Sequence, residues 1–235
     1  MAAGFAYDFR DEEQVKQYLD NIEIEYKFSC FGEKNSEGCH RLADYFEAVR
    51  PNIDEALQIY RMNCDRYKFG HSCYKLAKHM MLGKDIKCSP KEIMEYHDKG
   101  CQYGYSESCH TSAIMQMDPN YVGENKNIEK SAEYYKMGCD KNHRESCSAL
   151  GEYYRKGRPG LPVDIQKCLL YHKKGCDLES LQSCINLNVM YRNGIGVEND
   201  IELANKYRER AKIIYDNQYV PKKNLKGDQS KLELK

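Results

Sequence analysis

Cysteine is the residue whose chemistry dominates this sequence. Of the twelve cysteines in 235 residues, ten fall into local pairs: Cys30 with Cys39, Cys64 with Cys73, Cys101 with Cys109, Cys139 with Cys147, and Cys176 with Cys184. The pairs sit in a recurring phrase, Tyr171-His-Lys-Lys-Gly-Cys176 leading to Ser183-Cys184, with versions ending at Cys101, Cys139 and Cys64. Two chemistries use cysteines at fixed spacing. Zinc and related metals take ligands two to four residues apart in two clusters, a spacing absent here, so no metal site is expected. Disulfides are expected instead, each closing a short loop and contributing roughly 2.5 to 3 kcal/mol in the chain-entropy model. Cys88 and Cys168 remain as free thiols. Cys168 takes the place of Ala56, Ile93, Ser131 and Ala204 in the other repeats and is expected as a buried packing thiol. Cys88 precedes Ser89 in a loop and is expected to be more exposed, the better candidate for a reactive thiol.

Other residues carry weaker chemical signals. His97 and His172 stand one helical turn before Cys101 and Cys176, where they could ligate a metal or activate a thiol. Tyr60 and Tyr135 occupy that place in two other repeats, so a repeat-surface position is the expected reading. His110, beside Cys109, is the candidate axial ligand if a haem binds. Met117 lies about 10 Å further along the same helix and cannot face it across one iron. Ser72-Cys73-Tyr74-Lys75 forms a Ser-x-x-Lys, but no Ser-Asp-Asn or Lys-Thr-Gly accompanies it, which argues against β-lactamase chemistry. The second cysteine of each pair lies at a helix start, where thiolate is favoured, so thiol–disulfide exchange stands as the enzymatic alternative. No Cys-x-x-Cys supports it, and no catalytic residue is assigned.

The elements that hold these residues follow from periodicity. The second cysteines lie at 39, 73, 109, 147 and 184, steps of 34 to 38 residues, the period of stacked two-helix repeats. The first helix of each repeat, helix A, is expected to start at Ser72, Ser108, Ser146 or Ser183 as N-cap, with Gly38 in the first repeat. Its buried stripe lies three, four and seven residues after the cysteine, for example Leu42, Ala43 and Phe46. Helix B starts at a cap in every repeat, Asn52, Ser89 followed by Pro90, Asn127, Asp164 and Asp200. Residues 1–10 read as a flexible N-terminus. Residues 11–216 read as a single array of about eleven helices, comprising a capping helix and five two-helix repeats. Residues 217–235 are polar and aperiodic, expected as a disordered tail. Positions one, two and five after the cysteine lie opposite the buried stripe. There Tyr74, Lys75, Ile114, Glu152, Ile185 and Val189 are the candidates for partner binding on a concave wall of A helices.

Composition narrows the function. Thirty-six basic and 36 acidic side chains cancel, so no global field recruits nucleic acid. No run approaches the roughly twenty apolar residues of a transmembrane helix. The acidic start, Asp11-Glu12-Glu13, fits neither a secretory signal nor an Arg-rich transit peptide. Disulfides without a cleavable signal point to the mitochondrial intermembrane space.

The run Tyr191-Arg-Asn-Gly194-Ile-Gly196-Val197-Glu-Asn-Asp200, followed by Ala204 and Tyr207, resembles the Sel-one-like repeat, a relative of the tetratricopeptide repeat. Together with cysteine pairs at every repeat joint, it is similar to the cysteine-rich branch of that family. The resemblance implies an all-α solenoid (α-α superhelix) and a non-enzymatic scaffold that binds protein clients in assembling respiratory-chain complexes, chiefly cytochrome c oxidase, with complex I as a further candidate. It also implies import and oxidation by the disulfide relay oxidase.

Overall fold

The computed structural model describes residues 7–83, 88–158 and 160–219; residues 1–6 and 220–235, within the expected flexible N-terminus and polar tail, lie outside them. The chain divides into two compact units, Met1–Lys141 and Asn142–Lys235. In the first unit α1 (Glu12–Lys27) runs into a π-helical turn, Phe28–Gly32, followed by α2 (Ser36–Ala48), α3 (Ile53–Tyr67), α4 (Gly70–Leu82), α5 (Pro90–Gln102), α6 (Ser106–Met115), a short α7 (Pro119–Val122) and α8 (Ile128–Asp140). The second unit holds α9 (Arg144–Lys156), α10 (Ile165–Asp177), α11 (Leu181–Asn193) and α12 (Ile201–Tyr219). Helices α2, α4, α6, α9 and α11 are the A helices; α3, α5, α8, α10 and α12 are their B partners, each packed on its own A helix. The capping helix and five repeats are thus present, with α7 as one further helix. It forms where Asp118 caps Pro119, shortening α6 to ten residues, in the repeat that departs most from the others.

The B-helix starts lie where the sequence puts them. The side chains of Asn52, Ser89, Asn127, Asp164 and Asp200 accept from the backbone N–H groups of Glu55, Glu92, Lys130, Lys167 and Leu203. Ser89 and Glu92 close a full capping box over Pro90. The A-helix starts differ from expectation by three residues. The caps are Asn35, Phe69, Tyr105, His143 and Ser180, and Ser72, Ser108, Ser146 and Ser183 lie inside the first turn, fully buried. At the other end, α12 continues through residues 217–219, so the array extends past residue 216. There Gln218 donates to the Glu179 carbonyl at 3.3 Å.

The buried serines have a steric role at the repeat joints. In each joint the second cysteine lies in the first turn of an A helix and the first lies in the last turn of the B helix before it, or, for Cys30, in the π-helical turn after α1, with Cα separations of 4.3 Å for Cys30–Cys39, 4.9 Å for Cys64–Cys73, 4.5 Å for Cys101–Cys109 and 4.8 Å for Cys176–Cys184. Cys139 and Cys147 are disulfide-bonded too. At the four joints with the Cα separations above, the residue before each cysteine sits beside its counterpart across the joint. A Cβ added at Gly175 would collide with the Ser183 hydroxyl and lie 3.0 Å from Ser183 Cβ; one at Gly100 would lie 2.9 Å from Ser108 Cβ. In the first joint the two residues are exchanged: Ser29 precedes the first cysteine, Gly38 the second, and a Cβ on Gly38 would lie 2.7 Å from Ser29 Cβ. In the second joint Asn63 replaces glycine and donates to Ser72 Oγ at 2.7 Å. One side of each of these joints must yield space or make a hydrogen bond for the backbones to approach to disulfide distance.

Around these joints the first unit buries Leu42, Ala43, Tyr60, Leu76, Ala77 and Met80, and the second buries Cys168, Leu187, Met190, Ala204 and Ile214. The A-helix stripe read from sequence is therefore the core face. The joint steric rule is testable by exchange. Gly175→Ser is expected to cost about 1 to 3 kcal/mol through overpacking. Adding Ser183→Gly, which recreates the Ser29/Gly38 arrangement, should recover most of that loss in denaturant-unfolding midpoints of the oxidised protein.

Candidate functional site

The A helices carry, beside their buried stripe, a polar ladder that recurs in both units. Its components occupy fixed places: the B-helix residue four before the first cysteine, the A-helix residue five after the second, and the next A-helix residue two after its own. In the first unit these are Tyr60, Asp44 and Lys75. The buried Tyr60 hydroxyl is hydrogen-bonded with the Asp44 carboxylate and lies 2.7 Å from Glu47 Oε2; Lys75 Nζ lies 3.3 Å from Asp44 and 2.9 Å from Glu47. In the second unit they are His172, Glu152 and Asn186. His172 Nε2 lies 3.6 Å from Glu152 Oε1 and 3.3 Å from Asn186 Nδ2, which donates to Glu152 Oε1 at 3.0 Å. A buried B-helix side chain thus ties consecutive A helices together. Gly151 makes room for it, since a Cβ there would lie 2.7 Å from the His172 ring.

Burial sets the protonation of this ladder. It raises the Tyr60 pKa well above the usual phenol range, helped by the two acidic neighbours. Burial works against the Glu47 carboxylate, but Tyr60 and Lys75 hold its pKa below the ordinary value. His40 is pushed down to about 4 by burial and by His71, whose ring centroid lies 4.0 Å away. His97 and His172 are each lowered to about 4, chiefly by burial. The expected surface placement of His97 and His172 is corrected: both are buried, His97 against Met81 Sδ at 3.4 Å, because their position faces inward in every repeat that places Tyr60 or Tyr135 there.

The partner-binding candidates divide into two groups. Ile114, Ile185 and Val189 are exposed. Tyr74 is half-buried in a chain of rings, 5.7 Å from His97 and 5.0 Å from Tyr105, which stacks on His71 at 4.4 Å. Lys75 is held by Asp44 and Glu47, and Glu152 by Arg155, Lys156 and Asn186. His40, placed on the open face by spacing alone, is 4% exposed and lies 3.0 Å from Ser72 Oγ. Ser72 also receives Asn63 Nδ2, so the Ser-x-x-Lys pair is divided between two networks. The ring chain and the Ser72 cluster have no sequence signature beyond an excess of His and Tyr in the first two A helices.

Cys88 and Cys168 are free. Cys88 is only half-buried, but its thiol donates to the Met80 carbonyl at 3.6 Å, and burial with Glu92 nearby raises its pKa. Burial pushes Cys168 up to about 11, with its sulfur 3.7 Å from Met190 Sδ. His110 stands at the start of the second turn of α6, half-buried, its ring 5.5 Å from Tyr135, and Met117 lies beyond the C-cap residue Gln116. A haem reading rests on His110 alone. Among the described residues, no group of three or more His, Cys, Asp or Glu side chains could hold a metal ion, and no helix is long and apolar enough to cross a membrane.

A Sel1 repeat family model matches residues 36–65, 120–143, 144–180 and 182–212. The cytochrome c oxidase assembly factor 7 of Mus musculus is 42% identical over 217 residues, spanning 90% of this chain and 94% of the relative. The chain belongs to the Sel1 repeat family, in the cytochrome c oxidase assembly factor 7 group. The Homo sapiens member is 38% identical over 217 residues with the same coverage, 90% and 94%. A Sel1 repeat protein of Oxalobacter formigenes shares the fold, with a TM-score of 0.66 at 18% identity, over 87% of this chain and 91% of that one. The two-helix repeats are therefore Sel1 repeats in an all-α solenoid fold.

In this Sel1-repeat chain, the buried histidines give a pH dependence of defined sign. Their folded pKa values lie below the unfolded value of 6.5, so the unfolded chain binds more protons between pH 6.5 and about 4. Stability is full above that window and falls as pH drops through it, by at most about 1.4 kcal/mol per pH unit for each histidine. His97→Tyr, which installs the residue used at Tyr60 and Tyr135, should flatten this slope in unfolding free energies measured between pH 7 and 4.5; an unchanged slope would remove His97 from the account.

Proposed function

We propose that this protein is a non-enzymatic assembly factor for cytochrome c oxidase, acting in the mitochondrial intermembrane space by holding protein clients on its A-helix face. The observation that carries the reading is the 42% identity to a protein named for that role, spread over 94% of its length. The disulfides support an oxidising compartment, since such bridges rarely persist where thiols are kept reduced. They also fit oxidation by a disulfide relay oxidase during import. Among the described residues the chemistry favours a scaffold over an exchange enzyme. Both free thiols are held in their neutral form by burial, whereas an attacking cysteine needs a depressed pKa.

The test is complementation. In cells lacking the mouse factor, expression of this chain should restore assembled cytochrome c oxidase on native gels, with the protein protected from protease until the outer membrane is opened. A folded, mitochondrial protein that leaves the enzyme unassembled would overturn the proposal. Cys88→Ser with Cys168→Ala, the residue found at Ala56 and Ala204, should complement as well as the parent chain. Loss of rescue in a variant with unchanged melting behaviour would instead indicate free-thiol chemistry.

A further inference from the structure

We propose that the A-helix face of the Asn142–Lys235 unit docks an acidic amphipathic segment of a partner protein, with apolar side chains on Ile185 and Val189 and carboxylates at the basic ends of α9 and α11. The inference rests on the scaffold reading and names the chemistry of its client. Ile185, Val189 and Arg192 stand at i, i+4 and i+7, one stripe along α11. Ile185 and Val189 are 41% and 42% exposed, although Leu187 and Met190 on the opposite side of the same helix are fully buried. The stripe is therefore apolar where nothing within its unit covers it.

Charge selects the occupant. Glu152 is held by Arg155 at 2.8 Å and Lys156 at 3.3 Å, so one carboxylate faces two cations. Arg158 stacks over Tyr153 at 5.4 Å, making three basic residues against one acidic from 152 to 158. Arg192, exposed, occupies on α11 the place that Arg155 occupies on α9, eight residues after the second cysteine. In the other unit the corresponding positions of α2 and α4 are closed by their own pairs, Asp44 and Glu47 around Lys75 and Tyr60, and α6 exposes Ile114 with the polar Thr111 and the half-buried His110 in place of a second aliphatic residue one turn before it. Apolar side chains three or four residues apart, flanked by carboxylates, match this surface in both spacing and sign. Helix-in-groove recognition reads such anchors, and charge complementarity supplies orientation and selectivity.

The full-length oxidised protein would be used to select from a random peptide display library about twelve residues long. The expected winners carry net negative charge with two apolar residues three or four apart. Their binding should fall about tenfold, the equivalent of one 1.4 kcal/mol step, with Ile185→Asn/Val189→Asn. It should fall at least about threefold with Lys156→Glu/Arg192→Glu and in high salt. Winners without acidic bias, winners indifferent to both variants, or no winners would overturn the proposal. So would stronger retention on phosphatidylserine vesicles than on any peptide, which would make the face a lipid surface. Both variants change exposed residues, and their melting curves serve as the fold control. In cells lacking the factor, rescue by both double variants alongside the parent chain sinks this inference alone, whereas failure of the parent chain sinks the scaffold reading beneath it.

Discussion

The closeness of two backbones at each repeat joint is the constraint on which the rest depends. At the Cys30–Cys39, Cys64–Cys73, Cys101–Cys109 and Cys176–Cys184 joints an A helix and the helical segment before it approach to Cα distances of 4.3 to 4.9 Å. A disulfide can form there only if the residues just before the cysteines do not both project bulk into the same gap. Glycine against serine meets that condition in three of these joints, in either order, and an Asn63–Ser72 hydrogen bond meets it in the fourth. With the joint fixed, the next A helix has its orientation set, and the side chains four before and five after the cysteines meet. The Tyr60–Asp44–Lys75 and His172–Glu152–Asn186 ladders are consequences of that placement rather than independent sites.

Much of this was legible because it repeats. The B-helix caps are local signals, an oxygen-bearing side chain accepting from a nearby N–H, and all five lie where the pattern puts them. The A-helix stripe follows from 3.6 residues per turn. The A-helix starts were misplaced because serine is both a good cap and a small buried residue, and sequence alone does not separate the two roles. The turns before them are equally hidden. Lys34, Lys68, Asn142 and Glu179 adopt left-handed backbone at the joints, where glycine would have announced the turn and only Gly104 does. The helix α7 arises from Asp118-Pro119, a start signal that falls outside the repeat's own period.

The open face was the least legible part. Position counting puts His40 and Ile185 at equivalent places, one residue after the second cysteine, yet His40 is buried among Ser72, His71 and Tyr60 while Ile185 faces solvent. Whether a position is open depends on what the neighbouring repeats place over it, which periodicity does not report. The same repeat frame therefore yields polar, internally paired positions on α2 and α4, a lone exposed Ile114 on α6, and an aliphatic stripe beside basic residues on α11.

Disulfide mapping tests the central claim most directly. Material taken from its native compartment, alkylated before lysis and digested without reduction, should yield each cysteine pair as a short looped peptide, Cys30–Cys39, Cys64–Cys73, Cys101–Cys109, Cys139–Cys147 and Cys176–Cys184, with alkylation only at Cys88 and Cys168. Bridges that join cysteines of different joints, or joint cysteines carrying the alkylating label, would contradict an architecture set by local oxidation at each repeat boundary.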